Sequence, residues 1–365
     1  MKIQAACVAA IATLRQVLSP FSTFDAVARQ VLASRKDSPA HPTPRHPFES
    51  HETPSLFISA PHLPFVSPFD RRAAGTGGAG GFTLAVLPDT QNYAWKEPEV
   101  YAVQTRWIAA NLKPHNIPIV LHLGDVTQHN NDEQWKAARL AHDELRGRVP
   151  CALLPGNHDL GEGGKADSRQ SLMTEFFPLA EFRQWKTFGG VYDKEPSRTE
   201  NNYHRFEAGG RKWLVLALEF GPRNDVLRWA GDVAKMHSDH SVILITHAYL
   251  RPDDTRFDRR VKIQLKGKEG NKGLDNFALS KSPDGYNDGE DIWRKLVSQH
   301  ANFVLVISGH VCVTGRRTDT GKHGNTVHQM VVDYQNQEKG GNGFLRLLQF
   351  SPDGKTIHAV DYSPL

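Results

Sequence analysis

Residues 151–159, Cys151-Ala152-Leu153-Leu154-Pro155-Gly156-Asn157-His158-Asp159, decide the fold. Cys151 to Leu154 is an apolar run of strand length that stops at a proline and a glycine, with three polar side chains directly after it. The same grammar recurs along the chain. Phe82 to Leu87 precedes Asp89-Thr90-Gln91, and Ile117 to Leu123 precedes Gly124-Asp125. Val242 to Ile245 precedes Thr246-His247-Ala248, and Phe303 to Ile307 precedes Gly309-His310. Short runs rich in Leu and β-branched residues read as strands buried on both faces. Their polar followers then sit at the strands' C-terminal ends, where open α/β sheets place ligands. Separate strand ends delivering Asp, Asn and His to one edge are how a fold assembles a metal site from residues far apart in sequence.

Helical patterns fill the spaces between these runs. Val103, Trp107 and Ala110 recur at helical spacing within Val100 to Leu112. Glu133 to Leu145 reads as a helix that Asn131 or Asp132 would cap, and Ser171 to Phe177 as one that ends before Pro178. Tyr203 to Glu207 and Lys212 to Leu218, joined through Gly209-Gly210, predict a β-hairpin. Asp225 to His237 and Glu290 to His300 are further helices. Leu250 to Gly289 is polar with little periodicity, and a loop of that length in a compact domain tends to be functional or mobile. Thr326 to Tyr334, Gly343 to Phe350 and Thr356 to Tyr362 alternate like antiparallel strands. Alternation alone is compatible with a three-layer α/β fold.

The chain has 365 residues, 23% charged and 39% hydrophobic, with a net charge of +4, which is the balance of an ordinary globular protein. A nucleic-acid reader should show a clustered basic face; the basic stretch Arg256 to Lys272 also holds Asp258 and Glu269, so no specific nucleic-acid binding is expected. Three cysteines cannot form a disulfide framework, and Cys151 lies within an apolar strand as a core residue. No run approaches the ~20 apolar residues of a membrane span. Residues 1–35 have the layout of a weak secretory signal, with Lys2, mildly apolar Ile3 to Leu14 and a small-x-small Ala26-Val27-Ala28, or else form an unstructured leader. Residues 36–81 are rich in Pro, His and Gly and read as a linker, leaving 82–365 as the folded domain. Export and a cytoplasmic location both stay open, as does oligomeric state.

A pair of divalent metals needs a bridging carboxylate to offset repulsion between the cations, and neutral N or O donors to complete each shell. Asp125 suits the bridge, because Gly124 lets the backbone turn tightly. Asp89 supplies charge to one metal, while Asn157, His247 and His310 supply an amide oxygen and two imidazoles to the other. A hydroxide held between the ions could attack phosphorus. His158 would then donate a proton to the leaving oxygen, and Asp159 could orient His158.

The ordered set resembles the calcineurin-like metallophosphoesterase superfamily, over roughly Phe82 to Tyr362. The family pattern runs Asp-x-His, Gly-Asp, Gly-Asn-His-Asp or -Glu, a lone His, then Gly-His-x-His. The resemblance implies a four-layer α/β/β/α sandwich of two mixed β-sheets flanked by helices. It also implies two divalent ions (Mn, Fe or Zn) and hydrolysis of a phosphate monoester or diester. By position, Asp89 and bridging Asp125 match ligands of one metal, Asn157, His247 and His310 match ligands of the second, and His158 matches the general acid. Two positions depart from the pattern, and both belong to the same metal: Gln91 and Cys312 stand where histidines are usual. Gln91 could coordinate through its carbonyl oxygen, and Cys312 as a thiolate favouring Zn or Fe, or it packs behind the site. The Asp-Thr-Gln first motif, with Gly324 to Gln329, looks like a bacterial subgroup of this superfamily whose members are often exported.

His323, Asn325 and His328 are further candidates for the depleted metal, against a reading as turn and strand-face polars. Arg316 and Arg317 could hold a phosphate oxygen through their planar forks, or be solvated turn residues. Tyr93 and Trp95 line the substrate mouth or belong to the core; His122, inside an apolar strand, reads as a satisfied core histidine, and His129 could support the bridge. The rival to a dinuclear hydrolase is a mononuclear enzyme, or a catalytically weak metal- or phosphate-binding domain.

Overall fold

The computed structural model describes residues 56–57, 80–265 and 268–365. The leader reading and most of the linker reading lie outside the described residues. One sheet collects β1 (Leu56–Phe57), β2 (Phe82–Leu87), β3 (Val120–His122), β4 (Cys151–Ala152), β14 (Leu345–Phe350) and β15 (Thr356–Tyr362), in the order β1-β15-β14-β2-β3-β4. Leu56–Phe57, within the stretch read as linker, pairs antiparallel with Ile357 and Thr356 at that sheet's edge. The other sheet holds β5 (Phe188–Val191), β6 (Asn202–Ala208), β7 (Arg211–Leu218), β8 (Ser241–Thr246), β11 (Phe303–Ser308), β12 (Thr314–Thr320) and β13 (Thr326–Val332). Its order is β12-β13-β11-β8-β7-β6-β5. Both sheets are mixed: β2, β3 and β4 run parallel beside antiparallel β14, and β7, β8, β11 and β13 run parallel between antiparallel margins.

Side-chain alternation shows why four layers form. Along β7, Trp213, Val215 and Ala217 join Leu84 and Val86 of β2 and Leu348 of β14 in a core between the two sheets. The intervening Leu214, Leu216 and Leu218 pack outward with Val226, Leu227 and Ala230. Those three lie on a helix spanning Asn224–Met236. On the far side, Ala85, Leu87 and Val120 bury against Ile108 of the helix Pro98–Asn111. Strands with both faces buried in this way are apolar at nearly every position, and the buried exceptions Thr83 and His122 are polar groups inside otherwise apolar runs. The four-layer expectation therefore holds, and a three-layer fold does not.

Boundaries shift where apolar character outlasts pairing. Ile117 to Leu123 contributes a three-residue strand and Cys151 to Leu154 a two-residue one, although Ile119, Leu123, Leu153 and Leu154 are buried. The helix Asp132–Asp143 starts as expected, with the Asn131 side chain accepting from the Gln134 backbone N–H. The helix read at Ser171 to Phe177 shortens to Met173–Phe176. Leu250 to Gly289 is not structureless: it holds a ribbon of β9 (Asp258–Leu265) and β10 (Lys268–Lys272) and a small core of Phe257, Leu274, Leu279 and Tyr286 against Phe220. The expected hairpin forms, and Gly209 and Gly210, at φ +59° and +68°, supply the two positive values its tight turn requires.

Buried histidines make this fold sensitive to acid. Burial pulls His204 down to about 3, and burial with the Arg139 charge pulls His142 down to about 3. Below the ordinary histidine value of ~6.5 the unfolded chain binds protons that the folded chain refuses, so stability falls as pH drops through that window toward 3. Each such residue should remove about 2 kcal/mol between pH 7 and pH 5. Urea titrations of the parent and of His204→Leu at both pH values check this, and the variant should lose about 2 kcal/mol less on acidification.

Candidate metal centre

Each polar cluster sits where a parallel strand ends. The turn after β3 carries Asp125 at φ +48°, held directly against the turn after β4. A Cβ on Gly156 would meet an Asp125 carboxylate oxygen and backbone nitrogen, each at 2.2 Å, so only glycine permits this approach. Across the contact the His158 backbone N–H donates to Asp125 Oδ1 at 2.8 Å. Gly309 plays the same part for Asp89, whose Oδ1 would lie 2.0 Å from an added Cβ. His310 and Cys312 follow it at φ +83° and +59°, so three non-glycine residues of the cluster occupy conformations that side chains disfavour.

Four lone-pair atoms converge behind these turns. His247 Nε2 lies 3.0 Å from Asn157 Oδ1, 3.1 Å from His310 Nδ1 and 3.3 Å from Asp125 Oδ2. His247 Nδ1 donates to the Leu123 carbonyl at 2.9 Å, which fixes the tautomer and turns Nε2 inward as an acceptor. Among the described residues, Asp125, His247 and His310 form a group whose ligand atoms lie within 4.8 Å of one another. Acceptors aimed at acceptors are repulsive unless a cation sits among them. An amide oxygen, two imidazoles and a carboxylate are a fitting donor set for Zn, Fe or Mn.

The electrostatics differ from group to group: burial would lower His247, but the Asp125 carboxylate beside it raises it above the ordinary histidine value. Burial alone would raise Asp125, but His247, His158 and His310 together hold its carboxyl down to about 2. Burial and the neighbouring His247 push His310 down to about 3, keeping it a neutral imidazole. Asp89 goes the other way: burial, then the charges of Asp333 and Asp125, raise it well above the usual carboxylate range.

The remaining expected residues fall into place unevenly. Asp89 is buried and accepts from the His310 backbone N–H at 3.0 Å. Gln91 opens a helix, Gln91–Lys96, and is fully buried, its carboxamide N–H donating to Gln335. Asp159 does not orient His158. Its Oδ1 accepts from Thr127 N–H and Oγ1–H and its Oδ2 from Val126 and Gly156 N–H, at 2.7 to 2.9 Å, so it ties two turns together. His158 is held by the Gln128 carbonyl, 2.9 Å from Nδ1, which leaves Nε2 for a ligand. Cys312 is absent from the compact ligand group; its backbone N–H donates to Asp333. Arg316 is exposed on edge strand β12, and the Arg317 fork is occupied by Asp319. His328 and Asn325 sit at the start of β13, the end opposite Asp333, and His323 caps the Gln299 carbonyl. Tyr93 is buried, whereas Trp95 is 43% exposed with its ring 5.0 Å from that of His129. His122 is a satisfied core histidine, in a chain running Thr90, His122, Tyr101, His142 with links of 3.0, 3.1 and 2.8 Å.

Sequence reasoning misses Asp333 and Gln335. Both are buried, and the Gln335 side-chain N–H₂ reaches Asp89 Oδ2 at 3.1 Å and Asp333 Oδ2 at 2.9 Å. The signal is present: β13 runs parallel to β11, so the polar residues after it arrive at the same edge as the others. Reading Thr326 to Tyr334 as an antiparallel strand conceals them. The segment Leu250 to Gly289, an insertion between β8 and β11, supplies a further surround, with Phe257 and Phe277 packing 5.7 and 6.0 Å from the His310 ring, and Phe220, just after β7, lies 5.7 Å from it.

With this geometry in view, comparison with known proteins is decisive for the family. The model of the calcineurin-like phosphoesterases matches residues 82–314. The chain belongs to the calcineurin-like phosphoesterase family. It is similar to the uncharacterized protein YvnB of Bacillus subtilis (strain 168), 31% identical over 291 residues that make up 78% of this chain and 20% of that protein. The chain thus spans about a fifth of the length of the curated relative it matches. Solved structures similar to it include a dimetal phosphatase from Danio rerio (TM-score 0.43, 12% identity, 78% of this chain and 99% of that one). Another is a 5'-nucleotidase precursor from Thermus thermophilus (TM-score 0.41, 14% identity, 77% of this chain and 54% of that one). Among the described residues no helix is long and apolar enough to cross a membrane.

The close approach at Gly309 gives a test of the packing. Gly309→Ala should cost about 3 kcal/mol or more by driving a methyl into Asp89. Gly147→Ala, at φ +68° with open space around it, should cost about 1 kcal/mol. Denaturant midpoints of the two variants measure the difference.

Proposed function

We propose that this family member hydrolyses a phosphate monoester or diester at a dinuclear metal centre. The observation that carries the reading is the convergence of Asn157 Oδ1, His247 Nε2, His310 Nδ1 and Asp125 Oδ2 on one buried point. Divalent ions held there and beside Asp89 would supply Lewis acidity, lowering the pKa of water and neutralising phosphoryl charge.

The chain's own groups do the rest. Asp125 would be the carboxylate that holds the ions, its Oδ1 steadied by the His158 N–H and its Oδ2 turned to His247. His158, with Nδ1 on the Gln128 carbonyl, presents Nε2 to the leaving oxygen and donates the proton that oxygen needs. Asp159 acts through the backbone, holding the turns that carry Asp125 and His158 in register. Asn157 and His158 orient the phosphoryl group, Arg316 offers an exposed guanidinium for the outer part of the substrate, and the aromatic residues of the insertion shape the space beside His310. A mononuclear enzyme is the second reading, because the compact group of Asp125, His247 and His310 stands complete without Asp89.

Turnover of p-nitrophenyl phosphate and bis-p-nitrophenyl phosphate after loading with Mn, Fe or Zn tests the proposal. His158→Ala should lower kcat by about 10²-fold or more with bound metal unchanged, and Asp125→Asn should lose both. Absence of turnover with every metal, in protein that holds its ions, would sink the enzymatic reading.

A further inference from the structure

His158 is held by a peptide group that a residue outside every motif holds in turn. Gln134 lies in the first turn of the helix Asp132–Asp143, is 4% exposed, and has its own backbone N–H bound by Asn131 Oδ1 at 3.0 Å. Its side chain turns back over the loop that follows Asp125. Oε1 accepts the Gln128 N–H at 2.8 Å and the His129 N–H at 2.9 Å. Two backbone donors on one atom identify it as the oxygen, so the other end of the carboxamide is the NH₂ group. That group reaches His129 Nδ1 at 2.9 Å. It can only donate there, which leaves Nδ1 bare and puts the His129 proton on Nε2.

The same loop governs His158. Gln128 meets His158 Nδ1 twice, through its carbonyl at 2.9 Å and its side-chain amide at 3.3 Å. A carbonyl can only accept, so Nδ1 carries a proton and Nε2 is left for the reacting oxygen. That carbonyl and the His129 N–H belong to one planar peptide group. Gln134 grips its N–H end and His158 binds its oxygen end, so the carboxamide sets the direction of the bond that holds the ring. Hydrogen bonds chained in this way also strengthen one another. The loop is attached without Gln134, because the Asn130 N–H donates to Thr127 Oγ1 at 3.2 Å and Asn130 Oδ1 accepts from the Trp135 indole at 2.9 Å. What Gln134 adds is orientation. Burial, then His158 and Lys96, hold His129 below the ordinary histidine value, so the two imidazoles are electrostatic neighbours.

Resting on the reading of His158 as proton donor, we infer that Gln134 is the positioning residue of the leaving-group side. It orients His158 through the Gln128–His129 peptide and fixes His129 as an imidazole protonated on Nε2. When the phosphorus–oxygen bond breaks, its electron pair stays on the leaving oxygen. The protonated His158 gives that oxygen its Nε2 proton and remains an imidazole protonated on Nδ1, while water supplies the hydroxyl that phosphorus takes up.

Nuclear magnetic resonance of the full chain labelled with ¹⁵N-histidine reads the tautomers above neutral pH, the two rings being identified by their loss in His129→Ala and His158→Ala. The parent should show His158 protonated on Nδ1 and His129 on Nε2. Gln134→Glu keeps both acceptor bonds but sets a carboxylate against His129, so the His129 proton should move to Nδ1 while His158 keeps its pattern. Gln134→Leu removes both functions. In metal-loaded protein it should lower kcat on glycerol phosphate by at least about tenfold and on p-nitrophenyl phosphate by less, because an alkoxide needs the proton more than a nitrophenolate does. Bound metal and KM should stay unchanged, and Gln134→Glu should restore most of the lost kcat. A parent with His129 protonated on Nδ1, an unmoved His129 proton in Gln134→Glu, or equal slowing of both esters in Gln134→Leu would overturn the assignment. Should Gln134→Leu fail to fold, the tautomers of the parent and of Gln134→Glu decide. A parent with the expected tautomers that hydrolyses no ester with any metal overturns the hydrolytic reading and leaves the placement of both rings standing.

Discussion

The site depends on a clasp between two turns. Asp159 takes N–H groups from Val126, Thr127 and Gly156 and the Thr127 hydroxyl onto its two oxygens, while Asp125 takes the His158 N–H in the opposite direction. The two turns exchange carboxylates for backbone donors, and the missing side chain of Gly156 lets them touch. In a buried, low-dielectric setting such charge-assisted bonds are strong, and each leaves its carboxylate fixed in direction. One of these carboxylates is thereby spent on architecture so that the other can face inward with a defined orientation. His247 and His310 come from β8 and β11 in the other sheet, so the inter-sheet core of Leu84, Val215, Ile245 and Ile307 sets the distance between the halves.

The edge that carries the chemistry is legible in the sequence because its physics is local. A strand buried on both faces has to be largely apolar, and polar residues have to appear where it emerges, so the five motifs can be found without knowing what they face. Roles are less legible. Asp159 next to His158 in sequence suggests an orienting pair, but consecutive residues in a 3₁₀ turn point apart, and the partner of His158 comes from Gln128, thirty residues earlier. Asp333 escapes because strand direction is a property of pairing, and β13 is placed parallel by its contact with β11. The ribbon in the insertion escapes because Val261, Ile263 and Leu265 alternate with Lys262 and Gln264 over a short stretch flanked by charged residues, too brief to stand out from the polar segment around it.

The two halves of this edge draw on different kinds of residue. The first uses groups on strand ends pinned by the sheets, with His247 set by the Leu123 carbonyl. The second uses Asp89, Gln91 and the turn after β13, joined side chain to side chain through amides. Amide–carboxylate networks hold shape only when all their members are satisfied. With Gln91 in place of an imidazole there, orientation rests on a connected set of side chains instead of a single ring.

The insertion's aromatics bear on His310, with Phe257 and Phe277 both against its ring. Coupling of this kind is reciprocal: whatever steadies His310 also steadies the segment that packs on it, and by the same free energy. An ion held by His310 would thus fasten, at a distance, the segment whose rings pack on it. The ordering of residues 250–289 would then follow how much metal the surroundings provide.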